Sequence, residues 1–317
     1  MSGRDLFPPT PDMRFASIGW TRAAYAQHTP RQNQLLAALP REEYERLLPY
    51  LEPAALPMGW IVHRAGDREK YLYFITAGIV SRYCVMQNGA LARLAVTGRE
   101  GVIGIASFLG GESTPNHAVV LSAGYAYRLR ADVLKSEFAH GGPLLHLLLR
   151  YTLALIAQTA QIAVCNRHHT LDQQLCRWLL LSLDRSPGNE LWMTQKLIAD
   201  MLGVRRESVT AAAAKLHEAG LIHYSRGHIT VPDRHLLEAQ ACECYAVVKR
   251  EYERLLPEYR QAGITQVLGH VTTKATLKAI SGVPSSGHAT DNILLFCMPA
   301  RAMESPAGGG FDTQRRS

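Results

Sequence analysis

This chain has no uninterrupted apolar span of membrane length, and its cysteines are too scattered for a secreted disulfide scaffold. The one long apolar stretch, 144–164, is broken by His146, Arg150, Gln158 and Gln161, which argues against a transmembrane segment and against a membrane as partner. The opening MSGRDLFPPTPD carries no apolar run behind a basic patch, so no signal peptide is expected. Six cysteines among 317 residues, without regular spacing, point to a reducing cytoplasm.

Composition permits a soluble globular protein large enough for two domains, with 47% hydrophobic and 19% charged residues. The net charge of +7 suits a polyanionic partner. Between 171 and 234, however, acidic and basic side chains nearly balance. Any nucleic-acid reading therefore rests on where particular arginines point.

The stretch 193–216, MTQKLIADMLGVRRESVTAAAAKL, organises the rest. Thr194 is a plausible N-cap, and Leu197, Ile198, Met201 and Leu202 share one apolar helical face. Ala199 is small where a second helix must come close. Gly203, four residues on, supplies the positive φ of a sharp turn, and Val209, ten residues on, plugs the second helix onto the first. That is the helix-turn-helix pattern, whose second helix lies in the DNA major groove. Residues 223–231 then read as two short strands around Arg226-Gly227, a wing that places Arg226 near the phosphate backbone.

The remainder predicts an α+β chain. Residues 1–30 form a mobile lead-in. A domain over 31–141 begins with helices at 34–39 and 42–51, followed by an antiparallel barrel or jelly roll. Its strand runs are 60–63, 71–76, 79–86, 92–96, 118–121 and 125–129, separated by turn residues such as Asn88-Gly89. A dimerisation helix and hinge occupy 142–166. Leu145, Leu148, Thr152, Leu155, Thr159 and Ile162 recur at spacings of three and four, a heptad seam that wants an identical partner. Leu144, Leu147, Tyr151 and Leu153 are expected to face the barrel. The winged helix spans 167–235, a further helix 236–256, and a tail without assigned fold or function 257–317.

Barrel, long helix and winged helix in this order resemble the Crp–Fnr family of bacterial transcription regulators over about residues 32–256. The strings LLAALPREEYERLLPYLEP, GREGVIG, CNRHHTLDQQLCRWLLLSLDR, TQKLIADMLGVRRESVT, GLIHYSRGHITVPDR and CECY carry the likeness. The resemblance implies a homodimer that binds a palindromic promoter site, works with RNA polymerase and answers a signal in the barrel. It also implies that Arg206 and Glu207 read bases, since Arg can fork onto guanine and Glu can accept from cytosine N4. Thr210 faces the groove one turn on, while Arg205, Ser208 and Lys215 contact phosphate. Ala211 stands where many members carry arginine, which leaves the operator sequence open.

The barrel departs from the family pattern. Members that hold a cyclic nucleotide use a glutamate for the ribose and an arginine for the phosphate; the corresponding residues here are Ile105, Asn116 and His117. Cyclic AMP in the usual mode is therefore not expected, and the effector stays unknown. The first cysteine is Cys84, so an N-terminal iron–sulfur site is excluded. Arg99-Glu100-Gly101 reads as an ordinary solvated turn rather than a ligand loop. Cys165, His168, His169 and Cys176 fit no established zinc spacing, so no metal or cofactor is expected; Cys242 and Cys244 fall on different faces of one presumed helix, where buried packing is expected rather than redox activity. An enzyme of the cupin type would need a His-x-His pair, whereas His63 and His117 are far apart in the chain; no enzyme activity is expected.

Overall fold

The computed structural model describes residues 28–256. The tail at 257–317, and all but the last residues of the lead-in at 1–30, lie outside them. Two short helices open the fold, α1 (Gln34–Ala37) and α2 (Arg41–Leu47). Asn33 is fully buried and joins them to the barrel. Its side-chain oxygen accepts from the Leu35 and Leu36 amides, while its amide donates to the carbonyls of Ile75 and Gly101 at 2.8 and 2.9 Å.

Six antiparallel strands follow: β1 (Glu52–Leu56), β2 (Ile61–His63), β3 (Tyr71–Val85), β4 (Leu91–Thr97), β5 (Val102–Ile103) and β6 (His117–Arg130). Their order is β1-β6-β3-β4, with β2 also on β6 and β5 also on β3. Sequence reading divides β3 at Gly78 and β6 at Gly124, yet each strand runs on. The two glycines face each other across a run of register shifts. A Cβ on Gly124 would sit 2.0 Å from the Ala77 carbonyl oxygen, and one on Gly78 2.5 Å from that of Ser122. They allow a bulged, close crossing rather than a turn. Strand β1 escapes sequence reading because it carries Pro53, which is tolerated there because β1 is an edge strand.

Helices α3 (Ala106–Leu109) and α4 (Ala131–His140) lead to the long α5 (Pro143–His168), then α6 (Leu171–Leu183), opened by a Thr170/Gln173 capping box. On α5 the expected seam is displaced. Leu148, Thr152, Leu155 and Ile162 are buried in the chain's own core, and Leu145 and Thr159 are half-buried. The outward apolar row is Leu149, Leu153, Ile156, Ala160 and Ala163. Leu153, expected against the barrel, is 48% exposed. Because α5 is apolar nearly all round, spacing gives its period but not the phase of the outward stripe. Gln158 fixes that phase: fully buried, it accepts from the Val96 amide of β4 and donates to the Tyr252 hydroxyl.

The C-terminal part holds β7 (Glu190–Trp192), α7 (Gln195–Leu202), α8 (Arg206–Glu218), β8 (His223–Ser225), β9 (His228–Thr230), α9 (Arg234–Gln240) and α10 (Cys244–Leu255). The single helix expected over 236–256 is interrupted at Ala241–Glu243. Cys242 thus precedes α10, and it is buried together with Cys244 against Cys165. This corrects the expectation of opposite faces. One continuous core runs from Phe74 in the barrel through Leu148 and Trp178 to Val209 of α8. The α+β architecture, with jelly-roll barrel, long helix and winged helix, is the one expected.

Candidate nucleic-acid interface

The helix-turn-helix forms as its residues dictate. Thr194 caps α7 by accepting from the Leu197 amide at 3.2 Å. Gly203 ends the helix at φ +69°. Ala199 and Val209 are both buried, in one apolar core shared by the two helices. Helix α8 turns Val209, Ala212, Ala213 and Leu216 inward and leaves Arg206, Glu207, Ser208, Thr210, Ala211 and Ala214 exposed. Arg205 is the N-cap residue and makes no side-chain cap. Two cationic side chains therefore stand at the free amides of the first turn, where the helix dipole already favours an anion.

The wing is a hairpin of β8 and β9, extended by β7 on the other side of β9. Its turn residues, Arg226 and Gly227, have φ of +48° and +82°, as a two-residue turn matching the strand twist requires. The wing is anchored to the segment that launches α7. Met193 N donates to Gly227 O at 2.7 Å, and the Tyr224 hydroxyl donates to Met193 O at 3.2 Å. Burial raises the Tyr224 pKa above its ordinary value, against the opposing pull of the Gln195 backbone and, less, of the Arg206 charge. The wing that carries Arg226 is thus hydrogen-bonded to the segment ahead of the helix pair that carries Arg205 and Arg206.

Two of the expected contact residues have partners within the chain. Lys215 lies nine residues beyond Arg206, half a turn round the helix, and pairs with Asp172 at the start of α6 at 3.1 Å. Its side chain stays 67% exposed. The Thr210 hydroxyl is already engaged, donating to Gln195 Oε1 at 2.8 Å and bonding the Arg206 carbonyl. Gln195, which sequence reading passed over, therefore shares the outer face with Thr210. Only the packing of α7 on α8 brings the two together.

Inside the barrel stands a second polar group. Glu69 is buried; its carboxylate accepts from the Ala106 amide at 2.7 Å and lies 3.5 Å from His63 Nδ1. Burial raises the Glu69 pKa and lowers that of His63 to about 4, with Arg82 adding to the latter. Arg82 itself donates to Thr97 Oγ1 and to the Val102 carbonyl. His63 and His117, far apart in sequence, become neighbours across β2 and β6, since His63 pairs with Ala118. Ile105 stands at the N-cap position of α3 and packs against the core, directly ahead of the amide that Glu69 occupies. Glu100 is no solvated turn residue: 1% exposed, it holds Arg185 Nε at 2.7 Å.

Comparison with known proteins places both parts. Residues 54–140 match the cyclic nucleotide-binding domain, and residues 173–240 match the Crp-like helix-turn-helix domain. Over 175 residues, 52% of this chain and 79% of the relative, the sequence is 24% identical to the global nitrogen regulator of Synechococcus elongatus. A solved structure from Eubacterium rectale, assigned to the crp/fnr family, superposes with a TM-score of 0.53 at 19% identity, covering 65% of this chain and 96% of that one. FixK2 from Bradyrhizobium japonicum gives 0.53 at 18%, covering 61% and 98%. The c-di-GMP responsive global regulator CLP of Xanthomonas campestris gives 0.51 at 18%, covering 61% and 99%.

Proposed function

This chain belongs to the Crp–Fnr family of transcription regulators, and from that premise we propose that it acts as a cytoplasmic homodimer reading a palindromic promoter site. The observation that carries this reading is the shared placement of Arg205 and Arg206 on the first turn of α8 with Arg226 at the wing tip. Arg206 forks onto guanine O6 and N7 in the major groove, and Glu207 accepts from cytosine N4. Thr210, steadied by Gln195, faces the next base step. Arg205, Ser208 and Arg226 hold phosphates on either side. The protein has a regulatory rather than an enzymatic role, and RNA polymerase is its partner at the promoter.

Dimerisation uses the outward row of α5. Leu149, Leu153, Ile156, Ala160 and Ala163 alternate at four and three residues, the repeat that meshes two parallel copies. Three of these, Leu149, Leu153 and Ile156, are large apolar side chains at 44%, 48% and 59% exposure.

The barrel senses a small molecule other than a cyclic nucleotide held in the usual mode. The Glu69 carboxylate already accepts from the amide that opens α3, where an incoming phosphate would meet like charge. Selection of bound duplex from a random pool with the purified protein tests the DNA reading. The expected result is an inverted repeat whose half-sites lie one or more helical turns apart, roughly 34 Å each. Failure to enrich any sequence at low salt overturns it.

A further inference from the structure

The break between α9 and α10 gathers four groups that the chain keeps far apart. Cys165 lies on the last turn of α5, His169 caps that helix, Cys242 sits in the break, and Cys244 opens α10. Their ligand atoms all lie within 4.8 Å of one another. Cys165 Sγ is 3.5 Å from Cys242 Sγ, and Cys244 Sγ is 3.4 Å from His169 Nδ1. A tetrahedral zinc ion, about 2.3 Å from sulfur and about 2.1 Å from nitrogen, holds its ligand atoms roughly 3.5–3.8 Å apart. Those two pairs stand at the spacing of ligands around one ion, and no pair among the four exceeds it by more than about 1 Å. A cluster of several irons would spread its thiolates wider.

The surroundings agree. His169 directs Nδ1 at the cysteines and Nε2 at Glu243 Oε2, 3.2 Å away, the carboxylate–histidine arrangement that orients a metal-bound imidazole. Gln161 Nε2 donates to Cys244 Sγ at 3.1 Å. The three cysteines are at most 4% exposed. Arg177 is fully buried with none of its guanidinium nitrogens hydrogen-bonded among the described residues, and two nitrogens of Arg93 share that condition. Arg177 acts electrostatically on Cys165, and Cys165 on Arg93. Buried cations require negative charge nearby. Three thiolates around a dication carry a net charge of −1 and meet that need.

We propose that Cys165, His169, Cys242 and Cys244 form a closed Cys3His site for one zinc-class dication. With four protein ligands the site is structural rather than catalytic. It fastens the start of α10 to the end of α5, at the corner where the chain turns into α6 and the DNA-binding part. Cys176 and His168, which the sequence groups with Cys165 and His169, are not ligands.

The test is metal and free-thiol analysis of the full-length protein, purified under reducing conditions without chelator; it needs no DNA and is independent of the promoter reading. One zinc per chain is expected. Cys165→Ser and Cys244→Ser should lose it, and Cys176→Ser, a buried cysteine outside the group, should keep it. Glu243 is an exposed side chain, so Glu243→Gln should fold normally and bind zinc roughly tenfold to a hundredfold more weakly. Cobalt in place of zinc should give the visible spectrum of a tetrahedral thiolate site. A folded parent chain that takes up neither zinc nor cobalt overturns the proposal. So does isolation with a Cys165–Cys242 disulfide, with iron and acid-labile sulfide, or with zinc retained in both serine variants.

Discussion

Arg226 holds a left-handed backbone that non-glycine residues adopt at a cost, and it does so at the tip of the wing. Asparagine suits that conformation as well as arginine does or better. Arg226→Asn should therefore keep the fold while weakening every DNA sequence alike, with the salt dependence of binding reduced by about one ion. Arg206→Ala should behave differently. Discrimination at one base position should fall roughly tenfold to a hundredfold, with the other positions unchanged. Titrating both variants against matched and mismatched duplexes separates the two outcomes. His63 makes a separate claim on pH. Its folded pKa, about 4, lies below the ordinary 6.5 because the ring is buried and faces Arg82 and His117, with Glu69, Asp67 and Asn116 also around it. Between those values the unfolded chain binds a proton that the folded chain refuses. Stability from this group is thus whole above pH 6.5 and falls as pH drops towards 4. The raised pKa of Glu69 acts the other way, favouring the folded state as pH falls through the carboxylate range. Denaturation at pH 7 and pH 5 should show a loss of about 2 kcal/mol from His63, absent in His63→Gln.

At the scale of elements, α5 decides how two copies could meet. Its period was legible from spacing, but the outward row was not, because leucines stand on almost every side of the helix. Gln158, Tyr151 and Leu148 turn one face onto the barrel, and only then does the row through Leu153 and Ile156 face outward. Ile156→Glu should give a folded monomer by sedimentation, since the side chain is 59% exposed in the single chain. Leu148→Ala should instead lower stability by about 2–5 kcal/mol, because it opens a cavity in the core. Helix α8 was easier to read. Alanine at 199, glycine at 203 and valine at 209 are local steric requirements, and the structure meets each where the sequence places it. Gln195 and Lys215 were not legible, since their partners Thr210 and Asp172 lie on other helices.

Across the whole molecule, barrel and DNA-binding part are joined by buried polar contacts as well as by apolar core. Arg185, just beyond α6, and Glu100, between β4 and β5, form an ion pair whose side chains are each 2% exposed. The same Glu100 accepts from the Gly98 amide, and Arg185 Nη1 donates to Leu181 O. Removing one partner leaves a lone buried charge. Arg185→Met should therefore cost about 3–5 kcal/mol of stability, and the double variant Glu100→Gln/Arg185→Met should recover part of that loss in thermal denaturation.

By itself the sequence determined the parts: the strand-rich barrel, the long helix, the helix-turn-helix and its wing. Each is written in local spacing, capping residues and turn glycines, whose physics acts over a few residues. Tertiary structure alone decided which face of α5 stays uncovered, that Gly78 and Gly124 mark bulges within continuous strands, and that Glu100 is buried against Arg185. It also drew Cys165 and His169 to Cys242 and Cys244. These outcomes depend on which surfaces are removed from water together, and burial of that kind is a property of the packed chain rather than of any window along it.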